Sequence, residues 1–369
     1  MDAQRPLAEH RYRRELAALA RADDRPRPAG WMLSPRSVVD FIVGLPDPLE
    51  HPDGEPVPIT AKFYGNAPLV ERAVITLTTM RGLMLIGEPG TAKSMLSELL
   101  AAAISAESTL TVQGSAGTTE DQVRYGWNYA ALLAHGPSPA ALIPAPLYMG
   151  MTQGKIVRFE EVTRCPPEVQ DVLLSPMSER LLIVPELSGE QRLVYARPGF
   201  NIIATANTRD AGVNEMSAAL KRRFNFETVH PIRSPAREMA LVTRQTDEAL
   251  SEADVPLSLP TGVAELLVTT FHELREGVTA EGERVDRPTT PMSTAEAVSV
   301  ATSAGLHAFY YGEDAIGPDH VARHLVGTAL KDDPEDLKRL QGYFSRVVRR
   351  RAEDSTLWAA WYEARRWLS

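Results

Sequence analysis

A single cysteine, Cys165, is all the thiol that this 369-residue sequence carries. One cysteine makes no internal disulfide, which excludes a disulfide-stapled scaffold and fits a reducing compartment, so a cytoplasmic location is expected. Long hydrophobic runs are missing too. No stretch approaches the roughly 20 apolar residues that a membrane span needs. Residues 1–27 are rich in Arg and Ala but hold no apolar segment of the kind a secretory signal requires. Positive charge is in deficit: 39 Lys and Arg stand against 48 Asp and Glu, a formal net charge of −9. That balance argues against a dedicated nucleic-acid binder. No Cys/His cluster has zinc spacing, and His272-Glu273 meets Glu276 where an H-E-x-x-H motif needs its second His. What remains is ordinary globular composition, 44% hydrophobic and 24% charged, in a chain long enough for about two domains of roughly 150 residues.

Strands and helices alternate over the middle of the chain. Before them, Glu9–Arg21 reads as a charged helix and Asp23–Gly30 as a Pro-rich linker. Ser34-Pro35 opens a helix over Ser37–Gly44, with Ser at the N-cap and Pro at the first helical position. Leu45–Pro58 holds five prolines and reads as extended linker. Then come an apolar strand Leu83–Ile86, a helix Ala92–Ala106, and strands Thr109–Gln113 and Ile156–Glu160. Pro167–Arg180 has helical spacing, and Leu181–Val184 with Arg192–Tyr195 flank Ser188-Gly189 as a hairpin. A strand Phe200–Ala204, a helix Glu215–Phe224 and a strand Phe226–Val229 complete the run. This alternation predicts an α/β fold with a mainly parallel sheet flanked by helices. After Pro231 only helices are expected, over Ala236–Ala249, Thr261–Glu276, Ser293–Phe309, Pro318–Leu330 and Glu335–Leu368. The expected division is an N-terminal helical and linker extension (1–60), a phosphate-loop core (61–232) and an all-helical unit (233–369).

Gly87–Ser94 reads GEPGTAKS, that is Gly87, Glu88, Pro89, Gly90, Thr91, Ala92, Lys93 and Ser94. The phosphate-loop pattern G-x-x-x-x-G-K-[ST] is missed by one methyl group, because Ala92 stands where the second glycine belongs. The predicted strand before it and helix after it supply the context that the motif requires. Backbone N–H groups of such a loop bind phosphate oxygens at a helix N-terminus. Lys93 then reaches the β- and γ-phosphates of ATP, and Ser94 holds Mg²⁺. The plainer reading is a Gly/Pro turn that happens to precede Lys-Ser.

A phosphate-loop ATPase also needs an acidic residue at a strand end beside the loop and a general base near the γ-phosphate. Ile156–Glu161, IVRFEE, provides both: Glu160 for the Mg²⁺ shell and Glu161 for the water. The alternative is two exposed acids at a strand end. FNIIATAN ends in Asn207, an amide placed to orient a water against the γ-phosphate, or else a strand-end turn residue. LKRRF puts Arg222 and Arg223 at the end of a helix. Either can stabilise transition-state charge on a neighbouring subunit's nucleotide, or simply complement the helix C-terminus.

These elements in this order resemble the AAA+ ATPases, most closely the MoxR family of the helix-2-insert clade. GEPGTAKS, FEEVTRCPPEVQDVLLSPMSER, IIATAN and ALKRRF carry the resemblance, which covers about Lys62 to Pro231 and, more loosely, a helical lid. Ala before the motif Lys is itself similar to MoxR loops. The stretch SERLLIVPELSGEQRLVYARPGF looks like the family's pre-sensor hairpin, and Gln113 to Gly154 occupies the place of its helix-2 insert. The resemblance implies a homo-oligomeric ring, usually hexameric, with ATP at subunit interfaces. It further implies a chaperone-like remodelling or maturation role, often beside a partner with a von Willebrand factor A domain. Lys93 and Ser94 match the nucleotide loop, Glu160 and Glu161 the acidic pair, Asn207 sensor 1, and Arg223 the arginine finger with Arg222 as alternative. Two departures stand out. Glu160 replaces the usual Asp, which bears on the hydrolysis rate. In the lid, Thr290-Pro291-Met292-Ser293 stands where MoxR proteins tend to carry an Arg, leaving Arg287 as a substitute or the contact absent.

Weaker signals fill in the remainder. Tyr125-Gly126-Trp127-Asn128-Tyr129 either grips a client in a pore or packs. Ala134–Gly150 has too many prolines for a helix interior and reads as a long loop. Cys165 suits a small buried hydrophobe more than a redox centre. Arg346–Arg351, RVVRRR, with Trp358, Trp361 and Trp367 after it, reads as a solvated helix face and packing aromatics. Two rivals to the remodelling ATPase remain: a nucleic-acid-stimulated motor, and a nucleotide-gated scaffold with little hydrolysis.

Overall fold

The computed structural model describes residues 5–64, 66–207, 214–331 and 333–368. Its contacts divide the chain into two compact units, Met1–Gly87 with Ala92–Val229, and Glu88–Thr91 with His230–Ser369.

The first unit is built on five strands: β1 (Gly82–Gly87), β2 (Thr111–Gln113), β3 (Ile156–Glu160), β4 (Asn201–Asn207) and β5 (Phe224–Thr228), in the order β5-β1-β4-β3-β2. Every pair is parallel. Strands buried on both faces need near-continuous apolar runs, and LMLI in β1 and IIATA in β4 are such runs. Alternate residues serve opposite faces. Leu83, Leu85, Ile156 and Ile203 join one core cluster, while Met84, Val157, Phe159, Ile202 and Ala204 join the other.

Helices α1 (Arg13–Ala22), α2 (Pro35–Val43), α3 (Ala67–Leu77) and α4 (Lys93–Ser105) cover the first face. Leu19, Val38, Phe41 and Ile42 share a core with Leu96 and Leu100, so the N-terminal helices form a layer of the sheet unit. Ser34 caps α2 through its side chain, with Pro35 inside the first turn. Leu45–Pro58, expected as plain linker, closes a small antiparallel hairpin between Leu49–Glu50 and Pro56–Val57. The expected helix Glu9–Arg21 breaks at Tyr12 (φ −104°, ψ 23°).

The other face carries two hairpins. Tyr125–Trp127 pairs with Leu142–Pro144, and Leu181–Ile183 with Leu193–Tyr195. Ala134–Gly150 is thus not a long loop. It holds the end of a helix Tyr129–His135, a strand, and the start of a helix Pro146–Gln153. Its prolines are tolerated because Pro146 falls in a first helical turn, where no N–H partner is lost. The helix expected over Glu215–Phe224 shrinks to Ala218–Lys221, capped by Ser217, and Phe224 belongs to β5.

The second unit is helical: α5 (Pro235–Glu252), α6 (Thr261–Glu276), α7 (Thr294–Tyr310), α8 (Pro318–His324), α9 (Pro334–Tyr343) and α10 (Thr356–Glu363). Phe271, Tyr343, Phe344 and Trp361 anchor its core. Ser293 and Glu296 form a capping box that starts α7. Two expected helices are interrupted. Pro318–Leu330 stops at His324 before a turn through Gly327 (φ 87°), and Glu335–Leu368 is broken where Ser355 caps a new helix. The basic run is partly consumed in struts: Arg350 bonds Glu283, and Arg351 bonds Glu273 and Glu281. No helix among the described residues is long and apolar enough to cross a membrane.

Candidate functional site

The parallel sheet places the ends of β1, β3 and β4 side by side, and Lys93, Ser94, Glu160, Glu161 and Asn207 sit there. Arg222 and Arg223 lie at the opposite end of the sheet, where the Arg223 carbonyl accepts from Gly82, the first residue of β1. β1 ends at Gly87, opposite Asn207 of β4 in register. The chain then turns through Gly90 (φ 75°) and Ala92 (φ 65°, ψ 25°) into α4, whose first residue is Lys93. Ala92 therefore holds the left-handed conformation that glycine serves in the standard motif, at a cost of roughly 1–2 kcal/mol for an L-residue. Within the turn, Thr91 Oγ1 donates to the Glu88 carbonyl at 2.9 Å. Lys93 is buried and its Nζ donates to the Gly87 carbonyl, at the end of β1, at 3.1 Å.

At the second residue of α4, Ser94 Oγ donates to Glu160 Oε2 at 2.8 Å. This joins the loop to the end of β3 and brings together the two residues assigned to Mg²⁺. Thr205 Oγ1 of β4 donates to the same oxygen at 2.8 Å. The other oxygen, Oε1, accepts from Ser97 Oγ at 2.5 Å and from Arg158 Nη2 at 2.9 Å. Glu160 is only 4% exposed. Burial by itself pushes its carboxyl up. Donation from Ser97, the charge of Arg158, and donation from Ser94 and Thr205 outweigh burial and hold it below the usual carboxylate range. The donor set suits a hard divalent cation. Ser94 Oγ and Glu160 Oε2 are both oxygen ligands of the kind such a cation takes.

Glu161 is the first residue past β3 and has a left-handed backbone (φ 54°, ψ 43°). Its N–H donates to Thr205 Oγ1 at 2.9 Å, and its carboxylate pairs with Arg164 at 2.9 Å. Such strain in a residue bearing a Cβ persists only where neighbours enforce it. Gly114, after β2, is one of them: its N–H donates to the Glu160 carbonyl, and a Cβ there would come within 2.3 Å of the Glu161 carbonyl.

The two arginines differ. Arg223 is engaged, with Nε on Ser178 Oγ and Nη1 on the Ala219 carbonyl, both at 2.7 Å. Arg222 is exposed; its backbone N–H donates to the Ala218 carbonyl, and its own carbonyl accepts from Arg81. In the helical unit Arg287 donates to the Glu276 carbonyl that ends α6. Of the aromatic cluster, Tyr125 is buried against Trp127 and Tyr148, whereas Tyr129 is 68% exposed. Cys165 is fully buried, and its carbonyl accepts from Gln170 and Asn214.

Sequence reasoning passed over Arg158, Ser97 and Thr205. The signal for Arg158 was a charge inside an apolar strand, at the same parity as Glu160. Charged residues in buried strands are rare unless paired.

Residues 82–224 match the AAA domain of the dynein-related subfamily, and residues 236–369 match the C-terminal domain of YehL-like AAA+ ATPases. The uncharacterized protein YehL of Escherichia coli K12 is 52% identical over 365 residues, covering 98% of this chain and 97% of that protein. The uncharacterized protein SH1500 of Staphylococcus haemolyticus is 28% identical over 145 residues, 39% of this chain and 53% of its own length. Among solved structures, NtrX from Brucella abortus in complex with ATP aligns at 13% identity and a TM-score of 0.47, over 83% of this chain and 69% of its own. The RuvB Holliday junction branch migration motor of Thermotoga maritima aligns at 14% identity and a TM-score of 0.45, over 77% of each chain.

Proposed function

The chain belongs to the AAA+ ATPases, within the YehL-like family, and from that membership we propose that it couples binding and hydrolysis of Mg-ATP to remodelling or maturation of a protein partner. The observation that carries the nucleotide half is the direct bond between Ser94, on the phosphate loop, and Glu160, on the neighbouring strand. Lys93 and the backbone N–H groups of the loop receive the phosphates. Ser94 and Glu160 hold Mg²⁺, which supplies positive charge at the phosphoryl oxygens when bound. Glu161 takes a proton from the attacking water as its oxygen bonds the γ-phosphorus and the bond to the bridging oxygen breaks, leaving ADP and phosphate. Asn207, level with Gly87, orients that water. An arginine from an adjacent subunit, Arg222 or Arg223, stabilises the developing charge. Arg222 has the side chain freer to do so.

The remodelling half rests on the MoxR-like sequence signature. With it go a cytoplasmic location, a homo-oligomeric assembly of six subunits and a partner bearing a von Willebrand factor A domain. A second reading, a nucleotide-gated scaffold, draws on the four hydrogen bonds that saturate Glu160.

Steady-state Mg-ATP turnover of the wild type beside Lys93→Ala and Glu161→Gln tests the reading. Turnover is expected to vanish in both variants. Nucleotide binding should weaken at least about tenfold, or 1.4 kcal/mol, in Lys93→Ala alone. Wild-type turnover no higher than that of the variants, with binding intact, favours the scaffold. No Mg-dependent turnover and no nucleotide binding overturns both.

A further inference from the structure

Arg158 has no role in the scheme above, yet it is among the most fully committed side chains in the sheet unit. It is 9% exposed. Nε donates to Ser97 Oγ at 3.0 Å and Nη1 to the Ser108 carbonyl at 3.1 Å. Nη2 donates to the Ser94 carbonyl at 3.1 Å and to Glu160 Oε1 at 2.9 Å. A guanidinium has five N–H donors in a fixed fork, so four of them are spent on one arrangement. Strand parity puts Arg158 and Glu160 on the same face of β3, toward α4. Ser94 and Ser97, one helical turn apart, meet them there.

The result is a divided carboxylate. Oε1 is held by the protein interior, through Arg158 and Ser97, while Oε2 is turned to Ser94 on the phosphate loop. A buried carboxylate without a counter-ion would repel the phosphates of a metal-free nucleotide, and burial makes that repulsion strong. It would then accept nucleotide only with a divalent cation in between. Here the countercharge is covalently part of the chain. Glu161, the other acid, is likewise offset by Arg164.

We propose that Arg158 is a positioning residue and resident counter-ion for Glu160, which lets the phosphate loop take up nucleotide with little dependence on Mg²⁺. The inference rests on the nucleotide-binding reading and adds to it the order of events: nucleotide can enter first, and the cation is needed for turnover more than for capture.

The test is the dissociation constant of a fluorescent ADP analogue, measured in excess EDTA and in excess Mg²⁺, for the full chain. For the wild type, the EDTA value is expected within about fivefold of the Mg²⁺ value. Arg158→Met should widen that ratio by about tenfold or more, with most of the loss in EDTA. Arg158→Lys, which keeps the charge, should stay near the wild type. If Arg158→Met weakens binding equally in both conditions, Arg158 is merely structural and the proposal fails. A wild-type ratio above about a hundredfold overturns it even if Arg158→Met does not fold. Absence of binding in both conditions overturns the nucleotide-binding reading, and this proposal with it. Binding with an unaltered Mg²⁺ dependence in a folded Arg158→Met overturns this proposal alone.

Discussion

Ala92 and Glu161 share an unusual property: each carries a Cβ in the left-handed region, at φ 65° and φ 54°. Neither is there by local preference. The loop closure before α4 sets the first, and the bond from Glu161 N–H to Thr205 with the close pass of Gly114 sets the second. Ala92→Gly should relieve the strain, offset in part by the extra freedom of glycine in the unfolded chain. We expect thermal unfolding to show unchanged stability or a gain of up to about 1 kcal/mol, with nucleotide affinity within about threefold. A tenfold loss of affinity would mean that the methyl group shapes the loop. At this scale Lys93, Ser94, Glu160 and Glu161, which the structure gathers at the ends of β1 and β3, were picked out by spacing, because the motif fixes which atoms follow one another. Arg158, Ser97 and Thr205 were not, because their meeting depends on which helix covers which face of β3, and spacing does not encode that.

Elements with strong caps and steady apolar spacing were read well. Thr261–Glu276 has the expected bounds, and Ser34-Pro35 opens α2 as expected. Misreadings fell where a local cue has two meanings. Prolines near residue 145 suggested loop, yet one of them starts a helix. The long apolar spacing of Glu335–Leu368 hid a restart at Ser355. Asp336, in the first turn of α9, shows how such joints are held. It is fully buried and accepts from both the Thr289 and Thr290 amides. Burial pushes its carboxyl up, and those backbone bonds outweigh burial and bring it down to about 2. A depressed folded value means stability that is fully present above the unfolded value, near 3.9, and lost as pH falls through about 2. Asp336→Asn should lower stability at neutral pH by about 1–3 kcal/mol and flatten the acid limb between pH 4 and 2, as read by thermal unfolding across pH.

For the whole molecule, the proposed subunit-to-subunit arginine gives a complementation experiment. Lys93→Ala and Arg222→Ala proteins should each be inactive alone, and mixing them should restore part of the turnover, because some interfaces then pair an intact loop with an intact arginine. No recovery on mixing, with assembly unchanged, would place the role of Arg222 within its own subunit, and turnover kept by Arg222→Ala alone would move the role to Arg223. The order of strands in the sheet also carries a consequence for how the protein is made. β1 pairs with β4 and β5, the last two strands in the chain. A ribosome delivers Leu83–Ile86 and the phosphate loop early, and both neighbours of that strand arrive late. Until Thr228 has emerged, the apolar centre of the sheet is a sticky, unpaired ribbon open to proteases and to other chains. Chains ending at residue 200 should therefore be cut rapidly by a protease that leaves the full-length protein intact, and the demand on the cell's folding helpers should end abruptly with the synthesis of the fifth strand.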